Sequence, residues 1–134
     1  MSRLCLVLVE DHPLLRQTAI EILQTAFPAA DIRDFVYAEA AEAFCQNQPV
    51  DVVITDLALP GMSGMALLES LRRHHPQLPV IIQTLYDSAE HRRLADLLNA
   101  FRLLNKGEMA QQLVSTVRAA LAHTGRLDAA DQNS

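Results

Sequence analysis

Three short and uninterrupted apolar runs constrain the fold of this chain more than any other feature of its sequence. They occupy residues 4–9, 52–54 and 80–82. Each run is too short for a typical helix and lacks the apolar–polar alternation of a strand with one solvated face. Strands that are buried on both faces are therefore predicted, and such strands are typical of parallel sheets covered by helices.

Segments with helical spacing separate these runs, together with two weaker strands at residues 32–36 and 103–104. The residues that mark the five helices are Leu15, Ala19, Ile22, Leu23 and Ala26; Ala40, Ala43 and Phe44; Leu67, Leu68 and Leu71; Leu94, Leu97 and Leu98, expected to face inward; and Leu113, Val117, Ala120 and Leu121. Pro13 is suited to open the first helix, Asp87 with Glu90 resembles a capping box for the fourth, and Gly125 is suited to end the fifth.

The alternation of strand and helix predicts an α/β fold of the doubly wound type, with five parallel strands and helices on both faces. Arg33 and Asp34 interrupt the second strand, which places it at an edge of the sheet. One domain is predicted over residues 3–123. Residues 124–134 carry no apolar period, and we expect a disordered tail there.

Composition excludes several classes of protein. The 134 residues include 11 basic and 16 acidic side chains, a net charge of −5 that disfavours unassisted binding of nucleic acid or of an anionic membrane. No apolar run approaches the roughly 20 residues of a membrane span, and no signal peptide is visible, so we expect a cytoplasmic protein. Cys5 and Cys45 are expected to be buried thiols rather than a disulfide framework.

Polar side chains follow four of the five predicted strands. Glu10 and Asp11 follow the first strand, Asp56 the third, Thr84 ends the fourth, and Lys106 follows the fifth. Ligands of open parallel sheets bind beyond the carboxyl ends of the strands. We therefore expect three carboxylates, one hydroxyl and one ammonium to converge on the same edge of the sheet.

Three clustered carboxylates require a positive partner. Two carboxylates about 5 Å apart repel by roughly 3 kcal/mol at an effective dielectric constant near 20. Lys106, the only lysine of the chain, is one candidate, and Mg²⁺, which prefers oxygen ligands, is the other. With a phosphoryl donor present, one carboxylate can act as the nucleophile and form an acyl phosphate, whose oxygens Lys106, Thr84 and the metal would hold.

These segments resemble the receiver domain of two-component response regulators. The matching stretches are LVLVEDHP at residues 6–13, DVVITDLALPGMSG at 51–64, VIIQT at 80–84 and LLNK at 103–106. An aspartate followed at this spacing by PGMSG is the most specific of them. The DHPLLR sequence at residues 11–16 is similar to receivers of NarL/FixJ-type regulators, which usually carry a carboxy-terminal DNA-binding domain.

The resemblance implies a CheY-like, flavodoxin-like (βα)₅ fold with strand order 2-1-3-4-5. It implies a signalling switch, rather than a turnover enzyme, in which Asp56 accepts a phosphoryl group from a phosphohistidine of a histidine kinase or phosphotransfer protein. Mg²⁺ would be ligated by Asp11, Asp56 and the backbone carbonyl of Ala58, and Glu10 would reach it through water.

The resemblance also implies that Thr84 moves toward the phosphoryl oxygens and that Lys106 pairs with them. The expected partner or homodimer surface is formed by the last two helices and the fifth strand. Binding of DNA is expected only through an output domain that this chain does not contain, and no contact with a membrane is expected.

Two departures from the family pattern keep an alternative open. Leu103 stands where the family commonly has an aromatic residue, and Leu85 where it commonly has a small one. A module with this fold that acts without phosphorylation is the alternative reading. A phosphatase of the haloacid dehalogenase type would require a second aspartate at the position of Ala58, and a dinucleotide-binding domain would require a GxGxxG motif after the first strand.

Overall fold

The computed structural model describes residues 3–85 and 88–126, which form a five-stranded sheet in the order β2-β1-β3-β4-β5. All four strand pairs are parallel, so the predicted fold class is confirmed. The strands are β1 (Cys5–Val9), β2 (Asp31–Phe35), β3 (Val52–Asp56), β4 (Val80–Thr84) and β5 (Arg102–Asn105). The helices are α1 (Pro13–Ala26), α2 (Ala38–Asn47), α3 (Gly64–His74), α4 (Ala89–Leu97) and α5 (Met109–His123), with a 3-10 turn at Lys106–Glu108.

Alternate residues of the central strands supply two apolar layers, one on each face of the sheet. Val7 and Val9 of β1 pack in a layer with α2, α3 and α4, whereas Leu6 and Leu8 pack with α1 and α5. Every residue of β1, β3 and β4 is buried. This double burial explains why these three strands have uninterrupted apolar sequences.

Strand β2 and helix α2 form where the sequence predicts them, but α2 turns a different face toward the sheet than its predicted residues indicated. No residue of β2 is fully buried, as expected at the edge of a sheet. In α2 the residues against the sheet are Ala38, Ala41 and Cys45, while Ala40 and Ala43 are exposed. Because these are all small residues, composition alone did not distinguish the inner face from the outer one.

The inward face predicted for α4 is wrong for Leu94 and Leu97, whereas Leu98 is half-buried and packs against the apolar layer. Leu94 is 40% exposed and Leu97 is 72% exposed, and Ala95 is the fully buried residue of this helix. A small side chain at position 95 lets the helix backbone approach the sheet, which turns both leucines toward solvent. The cap of α4 is Ser88, whose hydroxyl accepts a hydrogen bond from the His91 N–H at 3.1 Å; Asp87, the predicted cap, lies outside the described residues.

The end of α5 forms as predicted, with Gly125 in the left-handed conformation (φ +79°). Its N–H donates to the carbonyl of Ala122, and the Arg126 N–H donates to that of Leu121, which is the hydrogen-bond pattern of a glycine-terminated helix. The Arg126 guanidinium lies 2.5 Å from Asp51, at the amino-terminal edge of the sheet. Most of the predicted tail, residues 127–134, lies outside the described residues.

None of the described helices is long and apolar enough to cross a bilayer.

Both cysteines are buried free thiols, as predicted, and we expect them to be unreactive in the native protein. Burial raises the pKa of Cys45 to about 11, and burial with the neighbouring Asp31 and Asp51 carboxylates raises the pKa of Cys5. Since the thiolate is the nucleophile, alkylation by iodoacetamide at pH 8 should require unfolding. Intact mass spectrometry across a urea series would measure this, and rapid double alkylation without urea would contradict it.

Candidate functional site

Three of the predicted site residues form an acidic cluster beyond the carboxyl ends of β1 and β3. The cluster consists of Glu10, Asp11 and Asp56, each of which offers one carboxylate oxygen within 4.8 Å of the others. Glu10 and Asp56 are buried and Asp11 is exposed, so the cluster faces solvent on one side only. The parallel register that pairs β1 with β3 produces this arrangement, because it brings the ends of the two strands side by side.

Lys106 places its ammonium group between the two buried carboxylates. Its Nζ atom lies 2.5 Å from Glu10 Oε1 and 2.9 Å from Asp56 Oδ2, and the Lys106 and Glu10 side chains are each only 3% exposed. Lys106 begins the 3-10 turn after β5, where the Asn105 side chain caps the turn by accepting from the Gly107 N–H at 2.8 Å. The predicted positive partner of the carboxylates is therefore present within the chain itself.

Burial and pairing compete in setting the charges of this group. Burial raises the pKa of Glu10, although its hydrogen bonds with Lys106 and with the His12 N–H act in the opposite direction. For Lys106, burial is the largest single effect and lowers the pKa. Its hydrogen bonds to Glu10 and Asp56, together with the charges of those carboxylates, outweigh burial and raise it. The cluster thus holds three carboxyl groups, of which the one ammonium contacts two, an arrangement that favours a further cation.

The loop after Asp56 requires glycine at a close approach of two backbones. A Cβ atom on Gly64 would lie 1.9 Å from the carbonyl oxygen of Asp56, and the Gly64 N–H donates to the carbonyl of Leu57 at 2.9 Å. The start of α3 is thereby held against the end of β3. Ala58 lies within the same loop, and its N–H approaches Asp56 Oδ1 at a long 3.4 Å.

Several contacts that support the site were missed from the sequence. The Arg16 guanidinium donates to the carbonyl of Glu10 at 3.1 Å, and His12, beside Pro13, accepts from the Leu15 N–H as the cap of α1. Glu39 of α2 accepts from the Met62 N–H at 3.4 Å in the loop after β3. The position of His12 before a helix-opening proline was a usable signal, whereas the other two contacts join elements that are distant in sequence.

Thr84, the remaining predicted site residue, ends β4 and is 2% exposed. It lines a pocket of about 420 Å³ together with Asp56 and Lys106. Leu85 and Leu94 also line this pocket, whereas Leu103 is buried in the apolar layer beneath α4. The edge of the sheet therefore carries an acidic cluster and an adjoining pocket that share Asp56.

A family model of the response regulator receiver domain matches residues 6–118 of this chain. The chain belongs to the receiver domain family. It is 37% identical over 86 residues to the DNA-binding transcriptional regulator NtrC of Escherichia coli K12, covering 64% of this chain and 18% of that protein. It is 30% identical over 119 residues to the probable transcriptional regulatory protein TcrX of Mycobacterium tuberculosis, covering 89% of this chain and 50% of that protein.

Solved structures agree with this assignment. A response regulator receiver domain protein from Clostridium thermocellum matches with a TM-score of 0.81 at 26% identity, covering 90% of this chain and 96% of the other. The receiver spans half or less of the length of the two curated relatives named above. It is thus a receiver domain of two-component signalling, with the five-stranded architecture that the resemblance implied.

Replacing Lys106 with methionine should destabilise the receiver by about 3 kcal/mol at pH 7, because Glu10 and Asp56 would be buried without their cation. The loss should grow as the pH rises above 4.5, the ordinary pKa of glutamate, since burial already raises the pKa of Glu10 and removal of the ammonium raises it further. Urea denaturation at several pH values measures the effect.

The matched control is the double variant E10Q/K106M, which removes one carboxylate together with the ammonium. It should be more stable than K106M at pH 7 and should lose most of the additional pH dependence. Equal stabilities of the two variants would contradict the view that K106M is destabilised because the Glu10 carboxylate loses its cation.

Gly64→Ala should cost about 2–3 kcal/mol of unfolding free energy, because the new methyl group overlaps the backbone of Asp56. Gly107→Ala is the matched control, since its Cβ would meet only the movable Asn105 side chain at 3.1 Å. Thermal and urea unfolding measure both variants. Equal losses of stability in the two would contradict the close approach of α3 to Asp56.

Proposed function

We propose that this receiver is a phosphorylatable switch in which Asp56 accepts a phosphoryl group from a phosphohistidine of a histidine kinase or phosphotransfer protein. The observation that carries the proposal is the environment of the Asp56 carboxylate. Lys106 engages Oδ2 at 2.9 Å, whereas the contact that Oδ1 makes within residues 3–85 and 88–126 is the long one with the Ala58 N–H. One oxygen is therefore held in place while the other is available as the nucleophile.

In this reaction an Asp56 oxygen forms a bond to phosphorus and the phosphorus–nitrogen bond of the donor breaks. The imidazole leaves with the electron pair of that bond and takes up a proton from solvent. The product is an acyl phosphate on Asp56. Lys106, which lies against both Asp56 and Glu10, is placed to transfer its pairing from the carboxylates to the new phosphoryl oxygens.

The acidic cluster fits Mg²⁺, because its side chains supply oxygen atoms only and carry more negative charge than Lys106 compensates. We propose that Asp11, Asp56 and the carbonyl of Ala58 bind the ion and that Glu10 reaches it through water. The bound ion would neutralise charge on the phosphoryl oxygens. The exposure of Asp11 gives the ion a route into the cluster.

Thr84 is proposed to report the modification to the rest of the molecule. It is buried at the end of β4 and lines the same pocket as Asp56, so its hydroxyl is within the region that a phosphoryl group would enter. A shift of Thr84 would carry Leu85, the next residue, with it. The consequence is a change at the surface between β4 and α4.

The switching unit is proposed to be residues 3–123, acting in the cytoplasm, where free thiols such as Cys5 and Cys45 persist.

Its partner or dimer surface is proposed to be the face of α4, β5 and α5, where Leu97 is exposed. Two relatives are named as transcriptional regulators, and any binding of DNA would require an output domain. Light scattering with and without beryllofluoride would test dimerisation, and an unchanged mass would contradict it.

Incubation with acetyl phosphate and MgCl₂ should add the mass of one phosphoryl group to the parent protein and none to Asp56→Asn. Intact mass spectrometry measures the uptake, and peptide mapping locates it. Asp31→Asn is the matched control, because Asp31 pairs with Arg33 at the far end of β2 and should label like the parent. Equal labelling of Asp56→Asn and the parent would refute the proposal. No labelling, with partner binding unchanged in Asp56→Ala, would favour the phosphorylation-independent module.

Mg²⁺ should stabilise the parent protein by about 1.4 kcal/mol at a concentration near ten times its dissociation constant, because binding to the folded state alone shifts the equilibrium. Thermal unfolding with MgCl₂, and with NaCl at equal ionic strength, measures the effect. Asp11→Asn should weaken it and Asp31→Asn should not. An unfolding midpoint temperature that rises equally with MgCl₂ and with NaCl would contradict a specific metal site.

A further inference from the structure

The pocket beside Asp56 has two chemically different ends. Its inner end is formed by the polar groups of Asp56, Thr84 and Lys106. The rest of its lining is mostly apolar and comes from the loop after β3, from α3, from the end of β4 and from α4. The apolar residues are Leu57, Ala58, Met65, Leu85 and Leu94, and Ser63, Glu90 and His91 also line the pocket. An occupant that suits this pocket is anionic or phosphorylated at one end and apolar at the other.

Two of the three leucines that line the pocket are unusually exposed. Leu85 is 58% exposed and Leu94 is 40% exposed, although both line the same pocket. Their apolar surface gains little from the fold itself, so covering it with an apolar ligand is favourable. Glu10 and Asp11, by contrast, are not among the residues that line this pocket. Asp56 thus lies between the acidic cluster and a pocket whose lining is mostly apolar.

We propose that this pocket receives the leaving group of a small phosphoryl donor, and that it favours an aromatic acyl phosphate over acetyl phosphate. The inference rests on the proposed function, because it requires Asp56 to be the acceptor. A donor whose phosphorus approaches Asp56 meets the acidic cluster on one side, so its substituent is directed toward Met65, Leu85 and Leu94 on the other.

The reaction balances without a further reactant. An Asp56 oxygen bonds to phosphorus, the bond from phosphorus to the acyl oxygen breaks, and the carboxylate leaves with the electron pair. Benzoate and acetate are carboxylates of similar basicity, so their intrinsic leaving tendencies are close. What differs is the group that enters the pocket. A phenyl ring would cover the exposed leucines and approach the Met65 thioether, whereas a methyl group would fill only a small part of the pocket volume of about 420 Å³.

The experiment compares initial rates of phosphoryl uptake from acetyl phosphate and benzoyl phosphate on the full chain with MgCl₂, at equal and low donor concentrations. We expect benzoyl phosphate to react about fivefold faster with the parent. Leu94→Gln should reduce the ratio of the two rates toward one. Leu97→Gln is the matched control, because Leu97 is exposed on the same helix but outside the pocket, and it should keep the ratio of the parent.

Each outcome decides the matter. A parent ratio near one, or a ratio that Leu94→Gln leaves unchanged, overturns the preference for an aromatic donor while leaving Asp56 as the acceptor. Equal reductions in Leu94→Gln and Leu97→Gln also overturn it, since the pocket would then not be the cause. Absence of uptake from both donors refutes the proposed function itself and is distinguished from these results by the lack of any adduct.

Discussion

The ammonium of Lys106 is the charge on which the arrangement of the site depends. Two carboxylates, Glu10 and Asp56, are buried at the ends of neighbouring strands, and a parallel sheet brings such strand ends together regardless of the charges they carry. Repulsion between them is compensated because β5 is followed directly by a lysine that reaches both. Burial would favour the neutral amine, yet the two carboxylates keep the pKa of Lys106 above its ordinary value. The same neighbours that need the cation therefore keep it charged.

This compensation is incomplete, which gives the site its chemical character. One ammonium balances one carboxylate, and Asp11 stands at the exposed side of the cluster, where further positive charge can enter. In the proposed reaction, a divalent ion and a phosphoryl group together would satisfy more of these groups than either alone, because the ion would meet the acidic side and the phosphoryl oxygens would meet Lys106. The apolar pocket on the opposite side of Asp56 adds a surface that charge alone does not account for.

The sequence predicted those features of the fold that depend on local pattern and on strand order. Runs such as residues 52–54 revealed strands buried on both faces. The polar residues at the ends of four strands indicated the candidate site, because topology fixes where strand ends meet. The inner face of α4 was predicted wrongly at Leu94 and Leu97, since leucines outweighed Ala95 in the pattern although the small residue is the one that fits against the sheet. The contact between Glu39 and the Met62 N–H depends on the distance between α2 and a loop, and local periodicity does not contain that distance.

The ion pair between Arg126 and Asp51 ties the residue that follows Gly125 to the amino-terminal edge of the sheet. Asp51 directly precedes β3 and Asp56 ends it, so this point and the site lie at opposite ends of the same strand, about 16 Å apart at the usual rise per residue. The phosphorylation proposed at Asp56 would therefore not reach this ion pair by direct contact. Any coupling between the two ends would have to pass along the buried strand β3 or through the surrounding helices, so the architecture itself keeps the two ends of the strand spatially insulated from each other.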